Sequence, residues 1–427
     1  MTVDVSVLGK PITFRNGMKA PNVFLKSAMT ERLCTYDKKD LEARGKTTAE
    51  YEKLYKVWGE GEIGVIVLGN IPIEREGLEA AKNMIIDKSN TWDAIENLKP
   101  VIAASKAHGS LVIGQLTHGG RQVSNEIVDT PVSASDIQCP PMGGMEFGKP
   151  RPLREDEIED LIDRWAFGAE ALYKAGADGC QLHAAHGYLL SQFLSSRVNK
   201  RTDKFGGSLE NKSMIVFRVI EEIKKRVDTS KFLISIKMNS ADFADGGLTE
   251  EESRTVAQQL DEAGLDLIEL SGGSYESMAF EHKKESTKKR EAFFIEFAEK
   301  VRPMLKSAVL CTTGGFRSAK AMVDAVNGGA TAMIGLARPL CAEPYFCRDI
   351  LSGKITEARE NKGDGGISTG LAIMQLAAIG AGKDIPDLSD EKTVQKLVNV
   401  LMGKGDEDDK PIKDQESSSY AGQEKAS

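Results

Sequence analysis

The chain has 427 residues, 41% hydrophobic and 28% charged, with a formal net charge of −8. A chain of that size buries a large core, and its acidic balance disfavours nucleic acid and anionic membranes, which reward basic surfaces. The six cysteines form no CxxC pair, so neither an iron–sulfur cluster nor a zinc ribbon is supported, and they read as reduced thiols packed as small hydrophobes. No uncharged run approaches membrane-spanning length, and MTVDVSVLGK at the start has no long apolar core. A soluble cytoplasmic protein is expected.

The first ordered signal is ITFRNGMKAPN, where Asn16 and Gly17 lie between alternating residues. That is a hairpin, placed to plug the floor of a barrel. Eight short apolar runs come next. They are NVFLKSAM from Asn22, GVIVLGN from Gly64, LVIGQLTH from Leu111 and DGCQLHAA from Asp178, then FLISIKMN from Phe232, LDLIELSGG from Leu265, AVLCTTGGF from Ala308 and TAMIGLARP from Thr331. Helical patterns separate them, such as those from Thr91 and from Glu155. A further one opens on Thr249 with Glu252 three residues on, a capping box, and stops at Gly264. The proline- and glycine-rich segment from Thr130 to Pro152 reads as an excursion over the top before the fourth strand.

Continuous apolar strands alternating with helices make a parallel sheet covered on its faces. No GxGxxG follows the first strand, so an open doubly wound sheet is unsupported. The prediction is an α/β fold, a (β/α)8 TIM barrel over residues 1–353 with an N-terminal hairpin. TGLAIMQLAAIGAG and EKTVQKLVNVLMG predict a C-terminal helical extension over 354–403, and the charged, serine-rich 404–427 reads as a disordered tail.

In such barrels the chemistry lies at the C-terminal strand ends. The fourth run delivers His183 and His186 there, with Gly187 and Tyr188 following. Two imidazoles can bind an oxygen through N–H groups while a neighbouring phenol delivers a proton. The group suits a polarised carbonyl, provided something else brings electrons. A metal would want a third ligand, and none stands at fitting spacing, so no metal is expected. Gly314 and Gly315 after the seventh run, with Ala337 and Arg338 after the eighth, form a candidate phosphate grip. Glycines at such a turn can also serve geometry alone. Lys237, inside the fifth run, is costly without an anion. A cofactor, Glu269 or Asp242 would each serve.

HAAHGYLLSQFLSSRVNKRTDKFGGSLEN from His183, QLTHGGRQ from Gln115, SAMT from Ser27 and GLARP from Gly335 together resemble the old yellow enzyme family of FMN-dependent oxidoreductases. The resemblance runs from Ile12 to Phe346. It implies non-covalent FMN, NADPH or NADH as reductant, and a small-molecule substrate. Ser27, Ala28, Met29 and Thr30 would run along the flavin ring, with Thr30 near the reactive N5. Gly69 and Gln115 would touch the ring, and Lys237 would sit near N1 and O2. Gly314, Gly315, Ala337 and Arg338 would hold the phosphate. His183 and His186 would grip the substrate oxygen, and Tyr188 would protonate carbon. The chain departs from the family in Lys237, usually arginine, in Phe205, usually tyrosine, and in Thr117, tryptophan in some members. The iron–sulfur cysteines of multidomain relatives are missing after the barrel, so a stand-alone flavin barrel is expected. The implied activity is hydride transfer to electron-poor alkenes such as α,β-unsaturated carbonyls. The alternatives are an FMN-dependent dehydrogenase of amines or alcohols, and a flavin-binding protein without turnover. Homo-oligomerisation stays open.

Overall fold

The computed structural model describes residues 3–142, 144–242, 244–271, 295–363 and 367–404. Eight parallel strands close into a barrel. They are β1 (Phe24–Lys26), β2 (Val65–Pro72), β3 (Leu111–Thr117) and β4 (Gly179–Ala184), then β5 (Leu233–Asn239), β6 (Leu267–Ser271), β7 (Val309–Thr313) and β8 (Met333–Leu336). Seven fall inside their apolar runs and β2 runs two residues past its own, to Pro72, so the predicted (β/α)8 barrel is the fold. Closure pairs every strand on both sides, which leaves no edge for another chain to extend.

Register decides what meets inside. Gln115 on β3 lies beside Gln181 on β4, Lys237 on β5 beside Glu269 on β6, and Asn239 beside Ser271. Side chains alternate along a strand. The upper half of the barrel therefore carries polar groups at every second position of four neighbouring strands.

The lower half is apolar. Leu25, Val65, Ile113, Leu233, Leu267 and Met333 cluster there, and Phe14 and Ala20 of the hairpin close the cluster. The hairpin pairs Ile12–Thr13 with Lys19–Ala20 across a turn in which Gly17 has φ +89°. It is the floor plug that its sequence predicts. Burying the Phe14 ring there stabilises the fold by about 1.5–3 kcal/mol.

The helices follow their caps. Glu250–Glu262 starts at Thr249, whose Oγ1 accepts from the Glu252 N–H at 3.1 Å while Glu252 accepts the Thr249 N–H at 3.0 Å. The helix expected from Thr91 begins later, at Ala94, because Asp93 supplies the cap by accepting from the N–H groups of Ile95 and Glu96. In the extension, helix Ser368–Ala381 packs on helix Ala49–Gly59. Helix Glu391–Leu401 starts at its Asp390 cap and buries Val394 against Leu371 and Leu388. The tail prediction, 404–427, lies outside the described residues except for Lys404.

The excursion is pinned to the barrel by the motif after Tyr188. Arg201 donates to the carbonyls of Ala134 (3.1 Å) and Leu153 (2.6 Å). Asn199 donates to the carbonyls of Phe193 and Phe205, each at 2.8 Å. This part of the motif holds loops in place. Among the described residues no helix is long and apolar enough to cross a membrane.

Candidate active site

β4 ends at Ala184, and the chain then turns sharply. His186 has φ +59° and Gly187 φ +77°. A left-handed backbone at a residue with a Cβ costs about 1–2 kcal/mol. The cost is met locally. The His186 N–H donates to Asn239 Oδ1 at 3.1 Å, and the Tyr188 N–H donates to the Ala185 carbonyl at 3.2 Å. The turn brings His186 back beside His183. Their rings meet edge to face at 5.3 Å, with His183 Nε2 3.3 Å from His186 Nδ1. The Tyr188 ring tilts against His183 at 4.6 Å.

Both imidazoles are neutral at ordinary pH. Burial first, then His186 and the Lys237 ammonium, holds His183 well below the usual histidine range. For His186, burial and Lys237 outweigh the opposing pull of Glu269 and push its pKa down to about 3. A neutral imidazole has one N–H, so the tautomer decides what each ring offers. Thr117 Oγ1 lies 3.2 Å from His183 Nδ1, and Ser271 Oγ lies 2.8 Å from His186 Nε2. When both hydroxyls donate, the protons sit on His183 Nε2 and His186 Nδ1. Those are the two nitrogens that face each other. An oxygen acceptor seated against both stabilises this arrangement, and the site becomes a pair of N–H donors aimed at one point.

Below the histidines the polar wall is continuous. Lys237 Nζ lies 3.0 Å from Glu269 Oε1 and 2.7 Å from Ser27 Oγ. Its anion within the protein is therefore Glu269. Asp242 instead accepts from Asn239 Nδ2 at 2.9 Å. Glu269 also accepts from Ser27 (2.6 Å), Thr313 (2.7 Å) and Gln181 (2.8 Å), and Gln181 in turn accepts from Gln115 at 2.7 Å. The Met29 N–H reaches the Gly69 carbonyl at 2.8 Å, and the Gly69 N–H reaches Tyr55 Oη at 3.0 Å. Both backbone groups of Gly69 are committed, so it offers a ring only its bare Cα. Thr30 Oγ1 accepts from Asn83 at 3.3 Å, which leaves its proton to donate. His118 stands apart from the pair, 3.0 Å from Glu74.

The strand ends of β7 and β8 form a bare, basic corner. Gly314 and Gly315 have φ +152° and +80°. A Cβ on Gly335 would fall 1.7 Å from Thr313 Oγ1. Arg338, half-buried, donates to Ser368 Oγ at 3.2 Å and lines a small cavity with Arg317 and Arg359. On the same face, loops after β3, β4 and β5 border an open cleft of about 710 Å³ that includes Gln138, Arg197, Lys200 and Asp245.

This donor set suits flavin mononucleotide: a wall of amide, ammonium and hydroxyl groups for a polar ring edge, then exposed backbone and arginines for a phosphate. Sequence reasoning missed Gln181 and Ser271, took Thr117 only as substrate wall, and left Glu269 as one of several anions. The period-two spacing Gln115/Thr117, Gln181/His183, Lys237/Asn239 and Glu269/Ser271 in otherwise apolar strands was the signal.

The comparisons identify the family. The NADH:flavin oxidoreductase / NADH oxidase family matches residues 7–357. The NADH-dependent flavin oxidoreductase nadA of Aspergillus parasiticus is 38% identical over 410 residues, covering 94% of this chain and 92% of the relative. The NADH-dependent flavin oxidoreductase iccE of Talaromyces variabilis is 32% identical over 367 residues, covering 81% and 86%. An old yellow enzyme homologue from Zymomonas mobilis has the same fold, with a TM-score of 0.68 at 23% identity over 83% of this chain and 94% of that one. A 2-naphthoyl-CoA reductase gives a TM-score of 0.77 at 22% identity over 93% of this chain, which spans 59% of that longer one. The chain belongs to the NADH:flavin oxidoreductase / NADH oxidase family, that of the old yellow enzymes. It is an oxidoreductase with FMN as cofactor and NADH or NADPH as reductant.

Proposed function

We propose that this chain is an ene-reductase, reducing the C=C bond of electron-poor alkenes such as α,β-unsaturated carbonyls. One observation carries the reading: two imidazoles, each with a hydroxyl beside its outer nitrogen, turn their other nitrogens toward one point beside Tyr188, where a bound oxygen would draw an N–H from each. The substrate carbonyl oxygen seats between His183 Nε2 and His186 Nδ1. Neutral donors bind a neutral carbonyl without desolvating a charge, and their hold strengthens as the oxygen becomes enolate-like. Bound FMN, once reduced by NADH or NADPH, supplies the hydride for the β-carbon. Tyr188 gives its phenol proton to the α-carbon. Its ring, 5% exposed and braced on His183, keeps that proton from bulk water. Ser27, Ala28, Met29, Thr30, Gly69, Gln115 and Lys237 hold the flavin ring, and Gly314, Gly315, Ala337 and Arg338 hold its phosphate.

The test is anaerobic. The FMN-loaded chain is reduced with NADH and then mixed with enones and nitroalkenes. Reoxidation with saturated product supports the reading. Reduction of the flavin by amines or alcohols, with no reoxidation by enones, points to a dehydrogenase. Inertness to both points to flavin binding without turnover.

A further inference from the structure

We propose that Glu269 is a positioning residue that sets both the charge and the donor–acceptor order of the barrel wall facing the flavin. This rests on the proposed placement of FMN over Ser27, Gln115 and Lys237.

Glu269 is wholly buried on β6, yet all its visible partners are donors. Oε1 takes Ser27, Thr313 and Lys237, and Oε2 takes Gln181. Burial alone would raise its pKa, but the Lys237 charge and the hydroxyls outweigh that and keep it below the usual carboxylate range. It is an ionised group, and an ionised carboxylate can only accept.

That one-sidedness has two consequences. The first is orientation. Gln181 must turn its NH2 toward Glu269, so its carbonyl faces Gln115. Gln115 must then spend an N–H on Gln181, which leaves its carbonyl and second N–H for a ligand. One carboxylate thereby fixes two amides, each of which could otherwise flip end for end. Lys237 is oriented in the same way. Among the described residues two of its three protons find acceptors, Glu269 and Ser27, and the third is left for a ligand.

The second consequence is charge. A lone ammonium beside the ring would attract any negative charge gained there. Here the ammonium lies 3.0 Å from a carboxylate, and a group beyond Lys237 feels the difference between the two. Glu269 therefore moderates Lys237 and keeps the flavin a stronger reductant than a bare cation would allow.

The test uses the FMN-loaded full chain, with sulfite as probe. Sulfite adds to N5 and places negative charge on the ring, and its binding bleaches the flavin. Glu269→Gln removes the charge and keeps the shape. It should tighten sulfite by about tenfold or more. The two-electron midpoint potential should rise in parallel, about 30 mV for each tenfold. Lys237→Met should move both readouts the other way, and the double variant should return toward the wild type. Gln181→Met breaks the amide relay and spares the ion pair. It should weaken FMN binding and shift the absorption band while leaving sulfite affinity as it was.

Wild-type sulfite affinity and potential in Glu269→Gln would overturn the proposal, even with a lowered melting temperature, since that is what a merely structural carboxylate does. Should Glu269→Gln fail to fold, Lys237→Met decides: unchanged sulfite affinity there overturns the proposal, and a loss supports it. A wild-type chain that takes up no FMN would instead bring down the flavin placement on which this inference stands.

Discussion

Ser271→Ala is the sharpest probe of the histidine pair. The Ser271 hydroxyl faces His186 Nε2 at 2.8 Å, and Ser271 itself is buried. Without it, one of two things happens. His186 can keep its proton on Nδ1, where it serves the substrate, and leave Nε2 as an orphaned buried acceptor. That costs about 1–3 kcal/mol, or about 5- to 150-fold in affinity for an enolate-like oxygen. Otherwise the ring moves its proton to Nε2 and turns a lone pair toward the substrate. One of two oxyanion donors is then lost, worth about 10²–10³-fold in rate. The expected loss therefore runs from several-fold to about 10³-fold. Phenol titration of the oxidised enzyme reads the affinity, because a phenol places its oxygen where the enolate oxygen forms. Stopped-flow traces read the two half-reactions. Flavin reduction by NADH should stay near wild type while enone reduction falls. Thr117→Val should do the same to His183 more weakly, because that contact is longer at 3.2 Å. Unchanged phenol affinity in both variants would show that the hydroxyls do not set the tautomers.

Tyr188→Phe keeps the ring on His183 and removes the acid. Phenol affinity and flavin reduction should hold while enone reduction drops by about 10²–10⁴-fold in stopped flow. Arg338→Ala should weaken FMN by about 1.5–3 kcal/mol, read as the FMN dissociation constant, with a melting curve to check the lost Ser368 contact. Acid should destabilise the fold through the histidines. An unfolded imidazole gains its proton near pH 6.5, whereas His186 holds out to about 3. The unfolded chain thus binds more protons between those values, so this contribution is intact above pH 6.5 and lost progressively as pH falls toward 3. Melting temperature against pH checks it, and His186→Asn should flatten the slope. For the same reason the enone rate should show no titration near pH 6.5.

The barrel was legible because its strands are short, apolar and separated by capped helices, a pattern set by local chemistry. The Thr249 capping box is visible in four residues of sequence and appears as read. The start of the helix after Thr91 was not, because Asp93 competes for the cap two residues later. The site was legible where one segment carries it, as with His183, His186 and Tyr188. It was obscure where strands far apart in sequence combine. Glu269 and Lys237 are neighbours only through barrel register. Ser271 meets His186 across 85 positions of chain. Such pairings depend on closure and shear, which no local window contains.

The left-handed backbone at position 186 also limits which residues could ever stand there. Branched and bulky side chains are strained in that region, which asparagine, aspartate, histidine and glycine tolerate. The position must also supply a hydrogen to a substrate oxygen. Glycine has no side chain to do so, and an ionised aspartate would meet the oxygen with its own lone pairs. Histidine and asparagine satisfy both demands with a short side chain that ends at the turn. An exchange between those two should be open to drift and to engineering, and β-branched replacements should fail on conformation before their chemistry is tried.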